Sequence, residues 1–314
     1  MLLPILSLLA GFILLMWSAD TFTDNGAKIA RIFNISPLVI GLLIFGFGTS
    51  APEMLVSGLA AYDGHPEMSI GNAFGSNILN IGLVLGVTAI ILPITVEKSV
   101  LKKEWLFLFL STLIVGFLLL DGFLSFTDGL ILISLLTLFL INVFRESKKN
   151  NLTDSDNDSF ENNSQKNDKG RTWLLLIVSL IILVSSARLV VWGGTSLALS
   201  FGVSDLIIGL TVVALGTSLP ELAVSISSAL KKQHQMVIGN IIGSNLFNTL
   251  GVLAIPGLIL PFQIPTEVMS RDFFFMLMFT LLVLILSMRL KISRFGGFIL
   301  LTALAIYLYQ LFWI

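Results

Sequence analysis

Apolar residues run through this chain in long blocks separated by short polar stretches, not in alternating or one-sided patterns. A helix needs about 20 mainly apolar residues to cross the roughly 30 Å of hydrocarbon in a bilayer. Ten blocks meet that length: 2–19, 36–62, 69–92, 104–121, 125–144, 172–192, 204–230, 237–260, 272–289 and 294–313. The pattern predicts an all-α membrane protein with ten transmembrane helices. Met1 to Ser18 carry no basic leader region and no small-residue cleavage site, so they are expected to form the first helix and not a signal peptide.

Between the fifth and sixth blocks the pattern stops. Twelve of the 27 residues from Arg145 to Arg171 are charged, and only Leu152 and Phe160 are large and apolar. Such a stretch cannot bury a core. It is expected to be a flexible linker over 145–171, joining a first five-helix unit, 1–144, to a second, 172–314. Its Asn-x-Ser/Thr triplets at Asn151, Asn157 and Asn162 are expected by chance in so Asn-rich a stretch, and sugar attachment is not the expected reading.

Composition agrees with lipid as the main solvent. Charged residues make up 12% of the chain, against about 25% in soluble domains. A net charge of −1 offers no basic surface for nucleic acid, and the absence of cysteine removes disulfides, thiolate metal sites and thiol catalysis. The loops on one side of the membrane hold 16 of the 18 Lys and Arg, leaving only Arg188 and Arg271 on the other. Positive loops stay cytoplasmic. Both termini are therefore expected outside and the linker in the cytoplasm.

The chain also repeats itself. Ser36 to Gly86 aligns without gaps onto Ser204 to Ala254 at an offset of 168, with 23 of 51 positions identical. The matches cluster in two polar blocks: Gly46 to Glu53 with Ala214 to Glu221, and Gly71 to Asn80 with Gly239 to Asn248. Each copy begins in the second helix of a five-helix unit. Because five is odd, the two units are expected to lie in opposite orientations, an architecture that places ion sites at the repeat interface near the bilayer midplane.

Chemistry concentrates in those blocks. Of 19 acidic residues, Glu53 and Glu221 alone are expected well inside spans, at equivalent positions and with no Lys, Arg or His in either block. An ionised side chain at the bilayer centre costs about 3 kcal/mol even on insertion scales. Two such acids repel unless a cation or proton compensates them. Thr49 and Thr217 lie one turn before the glutamates on the same face. Pro52 and Pro220 cannot donate to the carbonyls of Gly48 and Gly216, so the helices are expected to open there. Asn72, Ser76 and Asn80 form one helical stripe, and Asn240, Ser244 and Asn248 repeat it. All the donors are oxygen, which selects hard cations such as calcium, sodium or magnesium. Two carboxylates balance one divalent ion or two sodium ions.

Other residues have plainer expected roles. Gly71/Gly75 and Gly239/Gly243 suit close helix packing, and Ser57 and Ser225 suit bonding to their own backbone. Asp20, Asp24, Asp63 and Asp205 are expected to cap helices, and His65 and His234 to sit in solvated loops.

Gly48-Thr49-Ser50-Ala51-Pro52-Glu53, Gly71-Asn72-Ala73-Phe74-Gly75-Ser76-Asn77 and their counterparts from Gly216 and Gly239 resemble the alpha repeats of the cation/calcium exchanger superfamily, most closely its prokaryotic sodium/calcium exchangers. The resemblance covers both repeats and the whole ten-helix layout. It implies an antiporter of the prokaryotic inner membrane, not an enzyme, exchanging several sodium ions for one calcium. These ions are substrates and the bilayer is the partner; no cofactor and no protein partner are implied. The implied ion-binding set is Thr49, Ser50, Glu53, Ser76, Asn80, Thr217, Ser218, Glu221, Ser244 and Asn248, with backbone oxygens near Gly46 and Ala214. The first and sixth helices would be the sliding gate. Some relatives carry an acid where this chain has Asn248, and in the potassium-dependent branch that acid is linked to potassium transport. An amide there argues against potassium dependence. Two other readings stay open at this point: a proton/calcium antiporter on the same fold, and a passive cation channel.

Overall fold

The computed structural model describes residues 2–153, 169–201 and 214–313. We number the helices α1 (Leu2–Ile32), α2 (Pro37–Tyr62), α3 (Pro66–Ile91), α4 (Lys98–Asp121), α5 (Phe126–Thr153), α6 (Lys169–Ser200), α7 (Leu219–Leu230), α8 (His234–Ile259), α9 (Val268–Ser287) and α10 (Arg294–Trp313). Among the described residues, nine of these are long and apolar enough to cross a membrane, and α7 is a shorter apolar helix of 12 residues. Residues 204–213 of the expected seventh span, including Ser204 and Asp205, lie outside the described residues. So do residues 154–168 of the expected linker; the parts of that interval on either side continue α5 and begin α6.

α1 and α6 run far past their expected ends, because polar residues on one turn do not stop a helix whose other faces stay apolar. Asp20 and Asp24 therefore lie inside α1 and do not cap it. Asp63 sits at the C-terminal cap of α2. The two long helices pack along each other: a Cβ built on Gly11 would lie 2.7 Å from Val190, and one on Gly193 would lie 2.9 Å from the Pro4 carbonyl.

The remaining helices surround α3 and α8, the most enclosed spans. Contact between α2 and α8 is backbone to backbone. A Cβ added to Gly239 would fall 2.5 Å from the Leu38 carbonyl oxygen, and one on Gly243 would fall 2.4 Å from that of Leu42. From the other side, Gly41 and Gly46 are pressed equally against Gly239 and Gly243. The packing role expected for Gly239 and Gly243 is thus borne out. For Gly71 and Gly75, no described atom lies within 4 Å of such a Cβ.

Four two-residue strands tie the helix ends: β1 (Ile94–Thr95), β2 (Phe123–Leu124), β3 (Phe262–Gln263) and β4 (Lys291–Ile292). β1 pairs antiparallel with β4, Ile94 opposite Ile292, and β2 pairs with β3, Leu124 opposite Phe262. Adding 168 to β1 gives β3, and adding it to β2 gives β4. Each pairing therefore maps onto the other, and the repeat extends well beyond the two polar blocks.

Candidate functional site

The glutamates arrive by two different backbone routes. Pro52 lies within a continuous stretch of α2, which carries a π-helical segment at Gly41–Phe45. The expected opening of the first copy at the proline is therefore not seen, because flanking turns hold the helix together around one missing N–H. In the second copy the chain does break: a helical turn, Ala214–Thr217, ends at Ser218 (φ −90°, ψ 2°), and α7 begins with Pro220 in its first turn. There the proline's missing N–H costs nothing, since first-turn donors have no partner inside a helix.

The facing helices have matching irregularities. α3 is π-helical over Asn80–Leu85 and α8 over Phe247–Val252. Such single-turn widenings cluster at functional sites because they free carbonyls and turn side chains out of register. Both widenings coincide with a predicted site residue, Asn80 and Asn248. Amino-acid pattern carried no signal for them.

Four acidic side chains are buried among the described residues: Glu53, Asp128, Glu221 and Asp272. Two of them are compensated locally. Asp128 accepts from the Ser125 backbone N–H at 2.8 Å and from the Ser125 hydroxyl at 2.6 Å. Asp272 takes two bonds from the Arg271 guanidinium, at 2.8 and 3.2 Å, and one from the Tyr307 hydroxyl at 3.1 Å. The glutamates have nothing comparable. Glu53 is 2% exposed and Glu221 1%, they lie close enough to interact electrostatically, and Glu53 Oε2 with both Glu221 carboxyl oxygens lacks any hydrogen bond from the described residues.

Most of the predicted set is buried, and Thr49 meets Ser244 across the repeat interface. Thr49, Ser50, Ser76, Asn80, Ser218, Ser244 and Asn248 are buried, while Thr217 is half-buried. Thr49 donates its hydroxyl to the Phe45 carbonyl at 2.9 Å, leaving its oxygen lone pairs free to face Ser244 Oγ at 3.2 Å across the repeat interface. Ser244 in turn donates to the Gly46 carbonyl at 3.5 Å. Ser50 Oγ, Ser218 Oγ and the side-chain amides of Asn80 and Asn248 have no hydrogen-bond partner among the described residues. Buried polar atoms are normally paired. Unpaired buried oxygens on the same helices as two buried carboxyl groups are a donor set suited to a hard cation.

Two residues outside the predicted set hold it in place. Asn72 Nδ2 donates to the Glu53 carbonyl at 3.1 Å and to Ser57 Oγ at 3.0 Å. Asn240 Nδ2 does the same to the Glu221 carbonyl at 3.3 Å and Ser225 Oγ at 3.0 Å. Ser57 and Ser225 therefore receive asparagine amides, contrary to the expectation that they bond only their own backbone. With each amide nitrogen so engaged, Asn240 Oδ1 turns toward Thr49 (3.5 Å) and Asn72 Oδ1 toward Ser76 (3.5 Å). The helical stripe already contained both asparagines; the serine partners were not legible from it. Outer-sphere contacts of this kind are worth about 10–100-fold in metal affinity. Asn240→Ala is expected to weaken apparent calcium affinity about ten-fold with the protein still folded, as read by calcium titration of the purified protein.

Two cavities help to locate the site. One of about 540 Å³ is lined by Arg31, Lys232 and His234 among others and by no residue of the predicted set or its sequence neighbours. The other, about 400 Å³, is lined by Pro52, Val56, Arg188, Thr217 and Pro220 among others and lies beside the glutamates. His234 is half-buried there at the start of α8, whereas His65 is exposed as expected.

A sequence model described as "Sodium/calcium exchanger protein" matches residues 3–145 and 171–313, which is nearly all of the chain. The chain belongs to the sodium/calcium exchanger family. This exchanger is 41% identical to the putative antiporter CaxA of Alkalimonas amylolytica, with 99% of each chain covered. It is 36% identical to the inner membrane protein YrbG of Escherichia coli, covering 100% of this chain and 98% of that one. Among solved structures it resembles the sodium-calcium exchanger NCX_Mj soaked with zero Na+ and Ca2+, with a TM-score of 0.84, 38% identity and 99% of both chains covered. The exchanger is thus a membrane transporter of the prokaryotic branch of the superfamily and not an enzyme, as the alpha-repeat resemblance implied.

Proposed function

We propose that this exchanger moves calcium against several sodium ions by alternating access around a midplane site built on Glu53 and Glu221. The observation that carries this reading is the pair of buried carboxyl groups, one from each repeat, on helices that also carry buried oxygens with no hydrogen-bond partner among the described residues. One calcium or two sodium ions neutralise the pair equally well, so either load removes the electrostatic penalty that opposes conformational change. Thr49, Ser50, Ser76, Asn80, Thr217, Ser218, Ser244 and Asn248 complete the oxygen set, enough for the 6–8 ligands calcium takes. Two inverted units, 1–144 and 172–314, explain why each strand pairing maps onto the other. The basic loops orient both termini outward in the inner membrane.

Purified exchanger in vesicles tests the proposal. With pH clamped equally on both sides, an outward sodium gradient is expected to drive saturable calcium uptake, unchanged when potassium is replaced by choline. Uptake driven by a pH gradient without sodium would assign protons as the counter-ion. Calcium entry with no counter-ion gradient, rising linearly with concentration, would make the protein a pore.

A further inference from the structure

The two halves are alike in sequence but not in how their ends are covered. On α7, Ala223, Val224 and Ser227 are buried, and α1 covers this face: Ser227 Oγ donates to Asp20 at 3.1 Å. The equivalent positions of α2 are Leu55, Val56 and Leu59. They are exposed, and Val56 and Arg188 line the 400 Å³ cavity between α2 and α6. Val56 is 42% exposed and Val224 0%. One gate helix is therefore closed on its partner while its counterpart stands off.

An ion cluster marks the closed end. Lys231, just past α7, places its ammonium 2.6 Å from Asp20 and 2.7 Å from Asp24 of α1, and donates to the Asp20 carbonyl at 2.8 Å. Applying the 168-residue offset, Asp20 corresponds to Arg188 of α6, and Lys231 corresponds to Asp63 at the end of α2. The signs are exchanged, so each end of the molecule holds the makings of one gate-to-core ion pair. Among the described residues Arg188 and Asp63 form no ion pair, consistent with the open end.

We propose that Asp20, Asp24 and Lys231 form an ionic latch that holds α1 on α7 in this conformation, and that Arg188 with Asp63 is its charge-reversed counterpart, closing when the first opens. Only one latch is engaged at a time, because α1 and α6 pack along each other and shift together, so closing α6 on α2 draws α1 off α7. Neither latch touches the transported ion, and each sets which face of the site is accessible. The inference rests on the alternating-access reading above and not on which ions are exchanged.

The chain has no cysteine, so single cysteines report directly. Val56→Cys and Val224→Cys are each labelled with a water-soluble maleimide in purified protein without transported ions, which makes the readout independent of transport. In the native background Val56→Cys is expected to react much faster. Lys231→Gln should shift the ratio of labelling rates about five-fold toward Val224→Cys, as two partly exposed ion pairs worth about 1 kcal/mol in all would do. Arg188→Gln should shift it the other way, and reversing the pair with Asp20→Lys and Lys231→Asp together should restore the native ratio. Should Lys231→Gln fail to fold, Asp20→Asn with Asp24→Asn breaks the same latch and must give the same shift. An unchanged ratio, or shifts in one direction for both latches, would overturn the proposal even if sodium/calcium exchange itself is intact.

Discussion

Replacing Glu53 or Glu221 with glutamine is expected to abolish exchange while leaving the protein folded. Glutamine keeps the size and most of the shape of the side chain, so packing is preserved in a site where both residues are almost fully enclosed. What disappears is one of two charges that a cation needs. Losing one partner of a buried charge contact costs about 2–5 kcal/mol, roughly thirty- to several-thousand-fold in affinity. Removing a partner usually strands the other charge, but here no basic group is left behind. Either substitution instead relieves repulsion between two carboxylates. The expected signature is therefore opposite for the two measurements: thermal stability in ion-free buffer equal to or above that of the native protein, and no stabilisation on adding calcium. Ordinary calcium flux in either variant would remove the glutamates from the mechanism. A large loss of stability would instead give them a structural role.

The second large effect is predicted for a residue with no side chain. Gly243→Ala is expected to cost about 1–3 kcal/mol of stability, the range for overpacking, and to reduce exchange at least about ten-fold. The added carbon would fall 2.4 Å from the Leu42 carbonyl oxygen and 3.0 Å from the Leu42 carbonyl carbon and Cα. These are backbone atoms in a helix and cannot swing aside, so α8 must back away from α2. Ser244 is the next residue, and its contacts with Thr49 at 3.2 Å and Gly46 at 3.5 Å cross that same junction. Gly58→Ala is the matched control in α2, where the nearest atom would be 3.7 Å away, in ordinary contact with Ile255. Melting curves of both variants in detergent, paired with vesicle flux, check the prediction. Equal behaviour of the two would show that the α2–α8 junction tolerates separation.

Most of the fold was legible because lipid imposes a simple rule. Every backbone group in hydrocarbon must be bonded within its own segment, so long apolar blocks become helices and little else. Helix ends were less legible. α1 and α6 extend through polar residues that a length rule assigns to loops, since Asp20 and Asp24 find Lys231 only when the chain is folded. The break at Ser218 and the continuity through Pro52 were equally hidden, because the matched Gly-Thr-Ser-x-Pro-Glu blocks of the two halves adopt different backbones.

Residue types alone marked this protein as one that spans a membrane, contains two copies of one unit and carries two acids where bare charge is costly, because hydrophobic length, repetition and the cost of ionisation in lipid are all properties of the linear chain. Tertiary structure decided which buried acids are satisfied and which are not. Asp128 and Asp272 are buried too, yet each is compensated by neighbours that folding supplies, while Glu53 and Glu221 have no basic partner among the described residues. It also decided the inequality of the two halves: the matched valines Val224 and Val56 are covered and exposed according to where α1 and α6 come to rest, which the residue type at that position does not specify.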